Sequence, residues 1–247
     1  MSGSGFLQNR SASVGLTNSW GYDLMGGVNR QVSRSHNIGG TYSFSHFEFP
    51  GYGMISDTNS YHATYASNFA RVWTFALQAG VAVSEINSPL HLTLNPVLAA
   101  LLGQRTVTVI AYSKNMIPSG SVRLQRQFQK ASILFNYSRG VISGNGFSTT
   151  SRQSSATAGL SYSGVRKVSL NVDGGHYSMR ALGQVIGAIS QYSAGAGASY
   201  NLGRATYLNV RYDYRDQQIA SYNYALQGSR GSVGLMFSPG NIPLSIW

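Results

Sequence analysis

The chain has 247 residues, with 18 Lys and Arg against 7 Asp and Glu, for a formal net charge of +11. Charged residues make up 10% of it and hydrophobic residues 43%: too few charges to wet a soluble surface, too much apolar matter for disorder. The absence of cysteine excludes disulfides, zinc–thiolate sites and thiol catalysis.

Taken in chain order, Met1-Ser2-Gly3-Ser4-Gly5 reads as a linker-like start covering residues 1–7. From residue 8 the pattern is period-two alternation, the mark of strands with two different faces. It predicts strands over 8–18, 21–32, 37–47, 60–70, 73–85, 119–128, 131–142, 154–163, 167–177, 191–203, 206–215 and 223–237. The clearest run sets Trp73, Phe75, Leu77, Ala79, Val81 and Val83 against Thr74, Ala76, Gln78, Gly80, Ala82 and Ser84. Many of these segments run to about ten residues or more, the length a tilted strand needs to cross a bilayer.

The longest aliphatic run, Val97–Leu102, is far short of the ~20 residues of a helical span. It follows Asn95-Pro96 and precedes Gly103, which predicts a short helix with an N-cap, proline in its first turn and a glycine stop. This helix sits inside the longest break, 86–118, read as a single outer loop; Thr106–Tyr112 alternates well enough either to extend a hairpin or to add two strands. Its apolar Pro96, Leu98 and Leu101 are candidates for a constriction folded into a barrel mouth.

Short links near 71–72, 129–130, 164–166 and 203–205 alternate with longer ones, as periplasmic turns alternate with outer loops in a membrane barrel. The expectation is therefore all-β: a transmembrane antiparallel up-and-down barrel of about 12 strands (12–14), spanning 8–237 and followed by a tail at 238–247. Val233, Leu235 and Phe237 alternate and close on an aromatic. In this the chain resembles bacterial outer-membrane β-barrel proteins of a porin-like, uncharacterised kind, as do 122–146 and the Asn95–Gly103 segment. That resemblance implies a Gram-negative outer-membrane location, contact with lipid bilayer and lipopolysaccharide, and delivery by the barrel assembly machinery.

Large residues gather on one strand face. Tyr42, Trp73, Tyr137, Tyr200 and Tyr212 are expected in aromatic girdles against lipid. Gly, Ser, Thr, Asn and Gln dominate the other face, with Asp23, Arg123, Asp173, Arg211 and Asp213 as its charged, lumen-lining members. Small residues cannot fill a barrel of this width, which points to a passive pore with a mild preference for anions, or else to a closed anchoring barrel. Basic residues are scattered rather than clustered, so no nucleic-acid partner is expected. His36, His46, His62 and His91 lack metal-ligand spacing, and no metal or cofactor is expected.

His176 and Ser178 share a His-x-Ser spacing that resembles outer-membrane phospholipases, but Met179-Arg180 follows where that family has Asn-Gly. An omptin-like protease would need a His–Asp dyad, for which His176, Asp213 and Asp216 are the candidates. No catalytic residue is assigned, and the oligomeric state stays open.

Overall fold

The computed structural model describes residues 2–8, 19–50, 53–143, 150–182, 188–203, 205–220 and 224–237. Among these residues twelve antiparallel strands lie in one sheet in strict sequence order. They are β1 (Ser2–Gln8), β2 (Ser19–Ser33), β3 (His36–Phe49), β4 (Met54–Phe69), β5 (Trp73–Thr93), β6 (Thr106–Gln127), β7 (Ala131–Ser143), β8 (Thr150–Val165), β9 (Val168–Ala181), β10 (Ile189–Asn201), β11 (Thr206–Ile219) and β12 (Tyr224–Phe237), with one helix, α1 (Pro96–Leu102). β1 and β12 are the two ends of that order, and no pairing joins them among the described residues.

The register puts every alternating run on a consistent face. Asp23 pairs with Ser45, Ser45 with Thr58, and Thr58 with Ser84, so all four share one side. That side is the concave one, because Phe47, Ser56, Thr58, Ala82, Ser84, Ile86, Ile117, Ser119 and Ser151 lie on it and are buried. On the convex side stand Phe75, Leu77, Ala79, Val81 and Val83 of β5 against Leu124, Val122, Gly120, Pro118 and Met116 of β6. From Phe75 to Val83 this apolar face climbs about 20 Å at the usual rise and barrel tilt. It ends below two outward polar pairs, His46 Nδ1–Asp57 Oδ1 at 2.6 Å and Lys114 Nζ–Glu85 Oε1 at 2.7 Å. At the other end Arg126 stacks over Trp73 (4.8 Å) and Phe128 (4.4 Å), and a tight turn holds Ala70 and Arg71 at positive φ.

Several expected boundaries move. Of residues 1–7, read as a linker, 2–7 instead belong to β1, which pairs with β2 from Ser2↔Met25 to Gln8↔Ser19; residues 9–18, most of the first predicted strand, lie outside the described residues, as does the tail at 238–247. The 86–118 segment is not one loop. β5 and β6 pair over 21 residues, from Trp73↔Arg126 to Thr93↔Thr106, and form a projecting hairpin. Of the two readings of Thr106–Tyr112, hairpin extension is the one found. α1 caps the tip as its sequence predicts: Asn95 accepts from Val97 N, proline opens the helix, and Gly103 closes it at φ 65°. Strands β4, β8 and β11 likewise run past their predicted outer ends.

Candidate functional site

The inner face carries a recurring arrangement in which a glycine on a middle strand lets side chains of the two flanking strands meet above it. Asn29, Gly39 and Thr64 lie in one row, and Thr64 Oγ1 donates to Asn29 Oδ1 at 3.3 Å. His62, Gly80 and Ser119 form another, with His62 Nε2 and Ser119 Oγ 2.8 Å apart. The third spans β9, β10 and β11. Asp173 pairs with Gly195, Gly195 with Asp213, and one row over Asn171 pairs with Gly197 and Gly197 with Arg211. Without a side chain on β10, Arg211 reaches across the whole strand.

Its guanidinium is committed on all sides. Nε donates to Asp213 Oδ1 at 2.8 Å, and Nη2 lies 2.8 Å from the same oxygen and 3.0 Å from Asp173 Oδ1. With its amide oriented to donate to Gly197 O (3.1 Å), Asn171 accepts from Arg211 Nη1 at 3.0 Å. One cation between two carboxylates leaves the cluster with a net negative charge. Two hollows open on this face. One, of about 680 Å³, is bordered by Asp173, Arg211, Asp213, Arg215 and Arg230. The other, of about 670 Å³, is bordered by Asn29, Gln31, Thr41, Gln78, Ser121 and Arg123. Around it Gln78 Nε2 donates to Thr41 Oγ1 (3.4 Å), Ser121 Oγ to Gln78 Oε1 (3.4 Å) and Arg123 to Gln125 Oε1 (3.3 Å).

Asp23, Arg123, Asp173, Arg211 and Asp213 thus all stand on the inner face, three of them brought together by Gly195 and Gly197. The expected constriction takes a different form. Pro96 and Leu101 are exposed, Leu101 at 80%, on a helix at the hairpin tip. They do not fold into the mouth, because the paired strands carry α1 away from it; Leu98 lies on the same helix. The strands that do approach the opposite part of the concave face are β7 and β8. β7 pairs with β6 only from Gly120↔Arg139 to Gln127↔Ser132. Beyond that it leaves β6 and touches β3, β4 and β5. Ser56 and Thr150 hydrogen-bond across this junction, both fully buried, beside a cluster of Phe47, Phe49 and Met54. Sequence alternation carries no signal for a contact between strands so far apart.

Tyr42, Trp73, Tyr137, Tyr200 and Tyr212 all face outward by register. Trp73 and Tyr200 stand at strand ends, where girdle residues belong. Tyr42, Tyr137 and Tyr212 stand midway along β3, β7 and β11 instead; Tyr42 satisfies its hydroxyl by donating to Asn59 Oδ1 at 2.7 Å. His176 Nε2 lies 3.2 Å from Ser190 Oγ on β10, not from Ser178, and its ring packs on Tyr192 at 4.6 Å. Asp213 points inward while Asp216 points outward, so the protease-like trio is not assembled. Among the described residues a His–Asp pair does form, His46–Asp57, flanked by the Trp20 and Tyr22 rings at 5.1 and 5.0 Å.

Above the apolar band, on the projecting hairpin, the hydrogen bond and charge of Lys114 hold the Glu85 carboxyl below its usual range.

No protein-family model matches the chain, and no curated protein matches it by sequence. Solved structures do. The copper transporter OprC aligns with a TM-score of 0.57 at 10% identity, over 90% of this chain and 42% of that one. The FrpB iron transporter from Neisseria meningitidis gives 0.54 at 11% identity, over 92% and 41%. The ferric yersiniabactin uptake receptor FyuA from Yersinia pestis gives 0.52 at 7% identity, over 82% and 36%. The chain spans less than half the length of each. With a convex apolar band, a polar concave face and these likenesses, the chain has the fold of bacterial outer-membrane β-barrel proteins.

Proposed function

We propose that the chain sits in the Gram-negative outer membrane as a passive pore for small water-soluble solutes, with a mild preference for anions. The observation that carries this reading is the concave face, where two hollows of about 680 and 670 Å³ present Asn, Gln, Ser, Thr, Asp and Arg side chains among smaller apolar ones. A soluble β-protein would bury its apolar face and turn the polar one to water; over the span from Phe75 to Val83 this chain instead turns its apolar side chains outward, with Thr74, Gln78 and Ser84 inside. Its outward row Val233, Leu235 and Phe237 on β12 suits the signal read by the barrel assembly machinery. Outward Arg139, Arg152 and Arg180, near the outer strand ends, suit lipopolysaccharide phosphates. The structural neighbours named as transporters and an uptake receptor agree with a transport role in kind only.

A second reading, a closed barrel serving as an anchor, is favoured by the buried Ser56–Thr150 contact between β4 and β8. Single-channel recording in a planar bilayer under a salt gradient separates the two. Steady current steps with a reversal potential on the anion side are expected for the pore. Heat-modifiable, inserted protein that never conducts would refute it and leave the closed barrel.

A further inference from the structure

We infer that Arg215 and Arg230 form a subsite for small organic carboxylates, and that Arg211, despite facing the same hollow, is not part of it. This rests on the concave face being the solute path. Arg211 is spent: its guanidinium holds Asp173, Asp213 and Asn171 together, and the cluster it centres repels an anion. Arg230 stands directly opposite Asp213, and Arg215 lies one inner row further out, between Ser193 and Gly228. Neither has an ion-pair partner among the described residues, and both side chains are exposed. Both border the 680 Å³ hollow. Diagonal neighbours on adjacent strands lie ~7–8 Å apart, within which two long guanidinium side chains converge on one carboxylate in the paired geometry arginine favours. Ser193 and Gly228 are small and leave that volume open. The negative Arg211 cluster beside the pair sets an orientation: the carboxylate goes toward β12, and the rest of the solute toward the glycines of β10.

The test uses the full chain refolded in detergent, with succinate as the probe. Block of chloride current by succinate is measured in the planar bilayer, and succinate binding to the detergent-solubilised protein by calorimetry. The double variant Arg215→Gln/Arg230→Gln is expected to raise the half-blocking concentration at least tenfold, with calorimetric binding lost in parallel. Arg215→Lys/Arg230→Lys, which keeps the charge but loses the fork, should retain part of the binding. Heat-modifiable mobility certifies that each variant is folded. Unchanged block or binding in the double Gln variant overturns the subsite, as does a wild-type protein that binds no succinate. If the wild type never conducts, the pore reading fails on its own, and calorimetry alone decides the subsite.

Discussion

Replacing Gly80 with alanine tests whether the concave face depends on bare backbone where strands crowd. The methyl would stand 2.8 Å from His62 Cα, with the Tyr61 carbonyl oxygen closer still. Both neighbours are backbone of β4, so no side-chain rotation relieves the clash; β4 must draw away from β5. That weakens the ladder bonds on either side of His62↔Gly80 and lifts the His62–Ser119 bridge above it. At about 1 kcal/mol net per hydrogen bond, two ladder bonds and one bridge give a loss of about 2–4 kcal/mol. Gly195→Ala is the control. Its methyl meets Arg211 Nη2 at 2.6 Å, Asp213 Oδ1 at 2.8 Å and Asp173 Oδ2 at 3.1 Å. These are ends of side chains that are 40–48% exposed and able to swing aside, and solvent screens their ion pairs, so the loss should be clearly smaller than for Gly80→Ala. Urea unfolding in lipid vesicles, followed by the fluorescence of Trp20 and Trp73, compares the two. A Gly195→Ala variant that loses as much as Gly80→Ala would refute the distinction between backbone and side-chain crowding.

Two further outcomes follow from the projecting hairpin. Replacing 96–102 with a Gly-Ser linker of equal length should leave single-channel conductance within twofold of wild type, since α1 sits exposed at the tip; a severalfold rise would restore it as a constriction. Lys114→Ala should raise the midpoint of Glu85 titration, read by NMR. The Glu85 value is depressed in the folded chain, so its contribution to stability is present above the ordinary carboxylate range and is lost as pH falls through the folded value. Molar salt should shrink the difference between variant and wild type; a midpoint unchanged by the substitution would show that Lys114 is not its cause.

The strand register within the membrane band was legible because lipid and water ask opposite things of neighbouring residues. Phe75, Leu77 and Val81 face one, and Thr74, Gln78 and Ser84 the other. Toward the outer rim both faces meet polar surroundings, and the contrast fades. Met54, Ser56 and Thr58 alternate with Ile55, Asp57 and Asn59, but the last two of these are polar on the outward side as well, so β4 reads as starting at 60 instead of 54. Ser2–Gln8 escaped notice for a related reason: Gly and Ser carry almost no hydrophobic signal, yet extended backbone pairs with Ser19–Met25 without needing one. The Arg211 cluster was half legible. Alternation placed Asp173, Arg211 and Asp213 on one face, but only the three-strand register reveals that Gly195 and Gly197 let them meet, and hence that Arg211 is neutralised. On the same face Arg215 and Arg230 have no ion-pair partner among the described residues.

The strict neighbour-to-neighbour order of the sheet also has a temporal consequence. Among the described residues the backbone of each strand pairs only with the strands before and after it in sequence, so loop closure costs little at every step and the sheet is built from contacts of low order. The β5–β6 hairpin, with 21 paired residues around a capped helical tip, offers the longest local zipper and is the natural place for growth to begin. The Ser56–Thr150 bond joins residues 94 apart. It belongs at the end of that sequence, made after the strands it bridges have each joined the sheet.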